Sequence, residues 1–221
     1  MSTLLRQYAR AILHAKTLLA YSFLLGFLLY MVTPFLITVV NSFGKGWYGM
    51  RWLPQEWTLN WYQWAIDVTD VPEIMANTLI IAGIAVVIST LIALPTGWAL
   101  GRRHIPGKEL LTALILLPRM IPAITFALGV AKIFYGLQLV DTYLGVALAH
   151  VALAAPYAIL VLSATFESLD ERVLEASAVC GASPVQGFFY VILPLILPGI
   201  LSSIIFTFTT SYNEFTMTLM T

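Results

Sequence analysis

Apolar positions in this chain neither alternate nor recur every third or fourth residue; they run on unbroken. Thr17–Val40 holds no charge in 24 residues and Ile74–Leu100 none in 27. Leu110–Leu137 carries only Arg119 and Lys132, Tyr143–Phe166 only His150, and Val191–Thr221 only Glu214. A helix needs about 20 mostly apolar residues to cross a bilayer. Five such stretches predict an all-α integral membrane protein with five spanning helices. The first lies too far from Met1 for a signal peptide, and no small-residue cleavage site follows promptly, so it reads as a retained helix.

The polar segments between the runs set the orientation. Arg6, Arg10 and Lys16 precede the first span, Arg102, Arg103 and Lys108 follow the second, and Arg172 follows the fourth. These seven basic residues lie on one side, against Lys45 and Arg51 on the other. Short loops rich in lysine and arginine stay in the cytoplasm, so the N-terminal tail, residues 1–16, is expected there. The 41–73 segment is then external. It holds Trp47, Trp52, Trp57, Trp61 and Trp64, five of the six tryptophans. It reads either as an aromatic belt in the headgroup layer or as a docking surface for an external partner.

Composition agrees and narrows the classes. Sixty per cent of residues are hydrophobic and 10% charged, with a mean hydropathy of +0.89; a soluble domain carries roughly 25% charge. Eleven basic and eleven acidic residues give no net charge, so nothing points to nucleic acid. One cysteine, Cys180, excludes an intramolecular disulfide and a cysteine-rich metal cage.

The cytoplasmic segment after span four, residues 167–190, carries the most local information. Ser168 with Glu171 has the spacing of a capping box, and Ser183, Pro184 and Gln186 repeat it with proline at the first helical position. Gly181 stands between them, where a helix ends in a left-handed residue. A short helix, a glycine turn and a second helix feeding span five are expected. Leu169, Val173, Ala176 and Cys180 would share one face of the first helix. Glu175 beside the small Ala176 and Ser177 suits docking into a partner's groove. The same residues also suit a solvated hairpin with Arg172 and Glu175 paired.

Glu175-Ala176-Ser177, then Gly181, then Val191-Ile192-Leu193-Pro194 resembles the "EAA" loop of the permease subunits of bacterial binding-protein-dependent type I ABC importers. That pattern runs Glu-Ala-Ala, three residues, Gly, nine residues, Ile, any residue, Leu-Pro. Both spacings fit; Ser177 stands for alanine and Val191 for isoleucine. Asn77-Thr78, Gly107-Lys108, Leu117-Pro118 and Pro156-Tyr157 also look like this family, nearest its polyamine, opine and phosphonate branch. The resemblance implies the type I importer permease fold, with the hairpin from about Asp170 to Ser183 as the coupling helix. Glu175, Ala176, Ser177, Gly181, Leu193 and Pro194 would then couple to the ATPase.

It also implies two cytoplasmic ATP-binding subunits, a second permease chain that is related but not identical, a periplasmic solute-binding protein, and a multi-pass place in the bacterial inner membrane. The chain has no Gly-x-x-x-x-Gly-Lys-Ser/Thr sequence, so ATP and Mg are assigned to the partner and no cofactor to this chain. Family permeases have one span more than is found here, so the chain is expected to lack its last span.

Charges inside a bilayer are costly and are functional hypotheses by default. At 1.5 Å per residue, Arg119 lies about 14 Å into span three, near mid-membrane, between Pro118 and Pro122. On the same scale Lys132 is about 33 Å along, where it can snorkel to the outer interface. His150 lies roughly 10 Å below the outer face of span four. Pro194 and Pro198 are expected to delay the regular helix of span five, which leaves Glu214, about 34 Å from Val191, in the outer third.

Arg119, His150, Asn213 and Glu214 are therefore candidates for the solute path. Arg119 could instead pair with carbonyls freed by proline or with an acidic residue of the second permease. Arg119 with Glu214 would suit a solute bearing both charges, such as an amino-phosphonate, an opine or an amino acid, better than a polyamine. The hydroxyls of span five, Ser202 to Ser211, read as path groups or as glue between helices.

Two other classes stay in view. A self-contained secondary transporter or channel would need its own coupling-ion site and usually an internal repeat. An intramembrane enzyme would need clustered ligands or paired carboxylates. His14, His104 and His150 have no metal-ligand spacing, so no metal site is expected.

Overall fold

The computed structural model describes residues 2–47 and 53–221, without the side chains of residues 2–13 and Leu174. Arg51 and Trp52 lie outside the described residues, as do the side chains of Arg6 and Arg10. By internal packing the chain divides into two units, residues 1–71 and 72–221.

The first unit is built on α1, Ser2–Phe43. Its apolar span, His14–Phe43, buries nothing within the unit, as expected of a helix whose solvent is lipid. Beyond it the tryptophan-rich segment carries regular structure. Strands β1 (Gly44–Lys45) and β2 (Glu56–Trp57) pair antiparallel, and α2 follows over Asn60–Val68. The Trp61 indole N–H donates to the Gly44 carbonyl at 3.0 Å, and the Tyr62 hydroxyl to Ser42 Oγ at 2.7 Å. Trp47, Trp57, Trp61 and Trp64 all remain exposed.

The second unit holds α3 (Val71–Arg102), α4 (Lys108–Met120), α5 (Ala123–Gly136), α6 (Tyr143–Glu167), α7 (Glu171–Val179), α8 (Pro184–Gly187), α9 (Leu193–Tyr212) and α10 (Thr216–Met220). Helix α6 is its axis: two-thirds of its apolar window is buried. Small residues on α3 (Ala82, Ala85, Ser89, Ala93 and Gly97) are buried at helical spacing. They let backbones approach where no hydrophobic force drives helices together. Ile196, Ile200, Ser203, Thr207 and Ser211 form the buried stripe of α9. Ala93, Leu100, Ile159, Leu162, Phe166, Ile192 and Ile196 make the main core, and Trp98 meets Phe166 edge to face at 5.3 Å.

Among the described residues, four helices are long and apolar enough to cross a membrane: His14–Phe43, Val71–Arg102, Tyr143–Glu167 and Pro184–Tyr212. The fifth expected span is the pair α4–α5, bent by 96°. Ile121 precedes Pro122 and is extended, at φ −85° and ψ 138°. Proline disfavours helical geometry in the residue before it, so the run Leu110–Leu137 is not one straight helix. The depth assigned to Lys132 along a straight span falls with it.

Two further expectations are corrected. Ser168 does not start the hairpin helix; it ends α6, its hydroxyl donating to the Thr165 carbonyl at 2.8 Å. Asp170 caps α7 instead, accepting from the Arg172 N–H at 2.9 Å. Phe166 is buried in the core, so α6 runs on past the point where the box spacing placed a cap. Nor do Pro194 and Pro198 delay span five, which is helical from Pro184 to Tyr212. A π-turn, Phe188–Ile192, absorbs the strain, with the Leu193 N–H donating to the Phe188 carbonyl.

Candidate functional site

Two places in the second unit gather the polar residues that the apolar runs carried.

The first is the hairpin of residues 167–190. Asp170 opens α7, and Gly181 closes it at φ +83°, a conformation a side chain would strain. The Gly181 N–H donates to the Ala178 carbonyl and the Ala182 N–H to the Ser177 carbonyl, at 3.0 and 3.1 Å, the paired bonds of a Schellman ending. Ser183 then starts α8 with a complete capping box: Gln186 N–H to Ser183 Oγ at 3.3 Å, and Ser183 N–H to Gln186 Oε1 at 2.8 Å. The hairpin docks through Ser177, whose hydroxyl would stand 3.1 Å from any Cβ added at Gly187. Ala176, Cys180 and Glu175 are exposed, and Val173 is 39% exposed. The face drawn from Leu169, Val173, Ala176 and Cys180 therefore points largely outward, because Ser177 takes the inward position against Gly187. Leu193 and Pro194 lie just past the π-turn, Leu193 packed against the core. An apolar cavity of about 750 Å3 separates the hairpin from Leu94, Pro95, Trp98 and Phe166.

The second place is the far end of α9. The helix stops at Tyr212, and the Asn213 amide donates back to the Thr209 carbonyl at 2.8 Å. Glu214 is not part of a continuous span: its Oε1 accepts from the Met217 N–H at 3.1 Å at the start of α10. Its other oxygen has no partner among the described residues. Helix α10 packs Met217 against Ala127 of α5 and Ala149 and Leu153 of α6. Thr78, Ile81, His150, Ser211, Tyr212, Asn213, Glu214, Phe215 and Thr218 line a cavity of about 220 Å3. The structure thus brings three of the four candidate path residues together.

His150 is 3% exposed and satisfied at both ring nitrogens: Nδ1 lies 2.8 Å from Ser211 Oγ and Nε2 3.0 Å from Thr218 Oγ1. The Thr218 hydroxyl donates to the Glu214 carbonyl at 2.8 Å, so its oxygen is left to accept a hydrogen bond from the His150 ring. That places the hydrogen on Nε2 and leaves Nδ1 to accept from Ser211. The ring pins α9 and α10 to α6 around Glu214.

Arg119 is elsewhere, in the last turn of α4 beside the bend. Its Nη2 donates to the Tyr157 hydroxyl at 2.9 Å, and its guanidinium carbon lies 4.4 Å from that ring's centre. No acidic side chain or backbone carbonyl among the described residues pairs with it. Tyr157 follows His150 by seven positions, so the two lie on one face of α6, about 10 Å apart along the axis. The sequence offered no signal for the Tyr157 contact, which joins residues 38 apart.

The hydroxyls of span five divide between faces. Ser203, Thr207 and Ser211 are buried, whereas Ser202 is exposed and donates to the Pro198 carbonyl at 2.9 Å. Among the described residues no group of three or more metal-ligating side chains converges.

Residues 93–221 match the family described as binding-protein-dependent transport system inner membrane component. The spermidine/putrescine transport system permease protein PotC of Haemophilus influenzae is 30% identical over 185 residues, covering 84% of this chain and 71% of that one. Its Escherichia coli namesake is 26% identical over the same length, 84% of this chain and 69% of that one. The osmoprotective compounds uptake permease protein GgtD of Synechocystis is 33% identical over 177 residues, 79% of this chain and 59% of that one. The fold matches a chain of a bacterial ABC transporter involved in import of the acidic polysaccharide alginate, with a TM-score of 0.70 at 23% identity, over 89% of this chain and 70% of that chain. A bundle of apolar spans carrying this hairpin, and a family match over more than half its length, make the chain a multi-pass inner-membrane protein. It belongs to the binding-protein-dependent transport system inner membrane components, the permease subunits of type I ABC importers.

Proposed function

We propose that this permease passes a small solute bearing a cationic amine, a polyamine first among them, and that Glu214 meets the amine. One observation carries the reading. A carboxylate with a free oxygen opens into a cavity walled by Tyr212, Asn213, Phe215 and Thr78. Aromatic faces and a carboxylate attract an ammonium group together. The two relatives named for spermidine and putrescine support the same chemistry. Arg119 does not line this cavity, so a solute of both charges would need a second subsite, whereas an amine needs Glu214 alone.

In this reading the hairpin, residues 167–190, seats in a groove of a cytoplasmic ATP-binding subunit, and the N-terminus lies on the same side. Two such subunits hold ATP and Mg and hydrolyse the nucleotide; a second, related permease chain completes the path; a periplasmic binding protein delivers the solute. Closure of the ATPase pair moves the hairpin and, with it, the spans that enclose the site.

The test is uptake by membrane vesicles holding this chain with its co-expressed partners. Labelled putrescine and spermidine are expected to accumulate with ATP, and Glu214→Gln to lower uptake at least tenfold while the complex still forms. Uptake of a neutral disaccharide in place of either polyamine would overturn the amine reading. Uptake that continues without a co-purifying ATPase would overturn the importer reading in favour of a secondary transporter.

A further inference from the structure

The positive-inside pattern uses Arg102 only for its charge. Its side chain is 11% exposed, which a topology signal alone does not require. Nη1 donates to the Leu169 carbonyl at 2.9 Å, and Nη2 lies 3.8 Å from Glu171 Oε1. Leu169 and Glu171 bracket Asp170, the cap of α7, so the guanidinium grips the entry to the hairpin on both sides of its first residue. One turn of loop later, Lys108 lies 3.7 Å from Glu167 at the end of α6. The two contacts join the end of α3 and the start of α4 to the end of α6, the start of α7 and the turn between them. Arg102, Glu167, Asp170, Glu171, Arg172 and Glu175 line one open polar depression there.

We propose that Arg102 is the positioning residue through which the coupling hairpin moves spans two and four as one body. The hairpin leaves α6 through residues 168–170, where the last turn closes on the Ser168 N–H to Ala164 and Leu169 N–H to Phe166 carbonyl bonds and a new helix starts at Glu171; this break between helices is the hinge. A force on α7 from below would flex it before reaching the spans. The guanidinium closes the hinge: it satisfies a carbonyl left free at the helix end and holds a carboxylate in the same fork. Lysine could not do both, since it offers a point charge on a flexible stem. Glu171 is 78% exposed, so its pairing adds little by itself; the bond to the Leu169 carbonyl is the firmer contact.

The proposal rests on the importer reading above, and its test separates the two. Spin labels are placed at His104→Cys and Val179→Cys in a Cys180→Ser background of the whole transporter in nanodiscs. Both labelled positions are exposed. The distance between them is measured without nucleotide and after trapping with ATP, Mg and vanadate. The expected result is a narrow distribution, the same in both states, while vanadate still arrests hydrolysis. In Arg102→Met the distribution is expected to broaden and shift on trapping. Hydrolysis would continue, and solute accumulated per ATP, read with spermidine, would fall at least fivefold. Arg102→Lys should fall between. A 104–179 distance that changes on trapping in the otherwise unaltered chain would overturn the proposal without recourse to any Arg102 variant. So would an Arg102→Met transporter with unchanged distances and unchanged uptake per ATP. Absence of vanadate-sensitive hydrolysis in the unaltered complex would instead sink the importer reading.

Discussion

His150 Nδ1 and Ser211 Oγ lie 2.8 Å apart and join α6 to the end of α9 in a place where neither group reaches water. Both partners of the imidazole are hydroxyls, one of them on the short helix that follows Glu214. His150 thus builds the cavity wall rather than offering a free nitrogen to the solute.

Replacing His150 with phenylalanine strands the buried Ser211 hydroxyl and leaves Thr218 only its bond to the Glu214 carbonyl. Removing the partner of a buried polar group costs about 1–3 kcal/mol, so the thermal midpoint of purified protein is expected to fall by several degrees. Ser211→Ala should cost less, and the double variant less than the sum of the two, because both remove one contact. Additive losses would show that the hydrogen bond contributes nothing.

Arg119 and Tyr157 form a second contact that substitutions can divide. Tyr157→Phe keeps the ring beneath the guanidinium and removes the hydroxyl acceptor; Tyr157→Ala removes both. Stacking of this kind is worth about 0.5–1 kcal/mol at exposed sites and more when desolvated. Uptake is expected to fall little in the first variant and about two- to fivefold in the second, as it should in Arg119→Lys, which cannot stack as a plane. Equal uptake in all three would remove the pair from the transport cycle.

Pro194 lies two positions past the π-turn Phe188–Ile192, after Leu193. Proline lacks an N–H, and its ring crowds the carbonyl four residues back, here that of Tyr190; a π-turn gives that carbonyl room by adding one residue to the turn. Pro194→Ala is expected to let the helix tighten and turn the hairpin by roughly 100° against span five, with loss of ATP-driven uptake. Deleting Tyr190 in the same variant takes out the extra residue and should restore uptake. Full activity in Pro194→Ala alone would show that the π-turn sets no register.

Ser183 caps α8 with a reciprocal pair of bonds to Gln186. Its replacement by alanine removes about 1 kcal/mol of helix-start stability. Faster amide exchange confined to residues 183–187 is the expected signature; protection unchanged there would mean that packing of Gly187 on Ser177 alone holds the turn.

Span positions, the glycine turn at Gly181 and the Ser183 box follow from local chemistry. Each depends on residues within a turn or two of one another, and that is the range at which side chains instruct their own backbone. Where two local signals competed, the sequence misled. Ser168 and Glu171 have box spacing, yet Glu171 faces Arg102 and Asp170 takes the cap. Leu110–Leu137 reads as one apolar run, yet Pro122 turns the chain at Ile121.

The residues alone show that this chain suits a bilayer, where its apolar runs lie, and that few charges fall within them, because burying apolar residues in lipid needs no particular partner. What these groups, and the basic residues beside the spans, pair with is set by the tertiary packing. Arg119 meets Tyr157 across 38 positions, His150 meets Ser211 across 61 and Thr218 across 68, and Arg102 meets Leu169 across 67. An apolar run looks the same whichever face it turns inward, so these pairings are set by helix packing and not by any pattern along the chain.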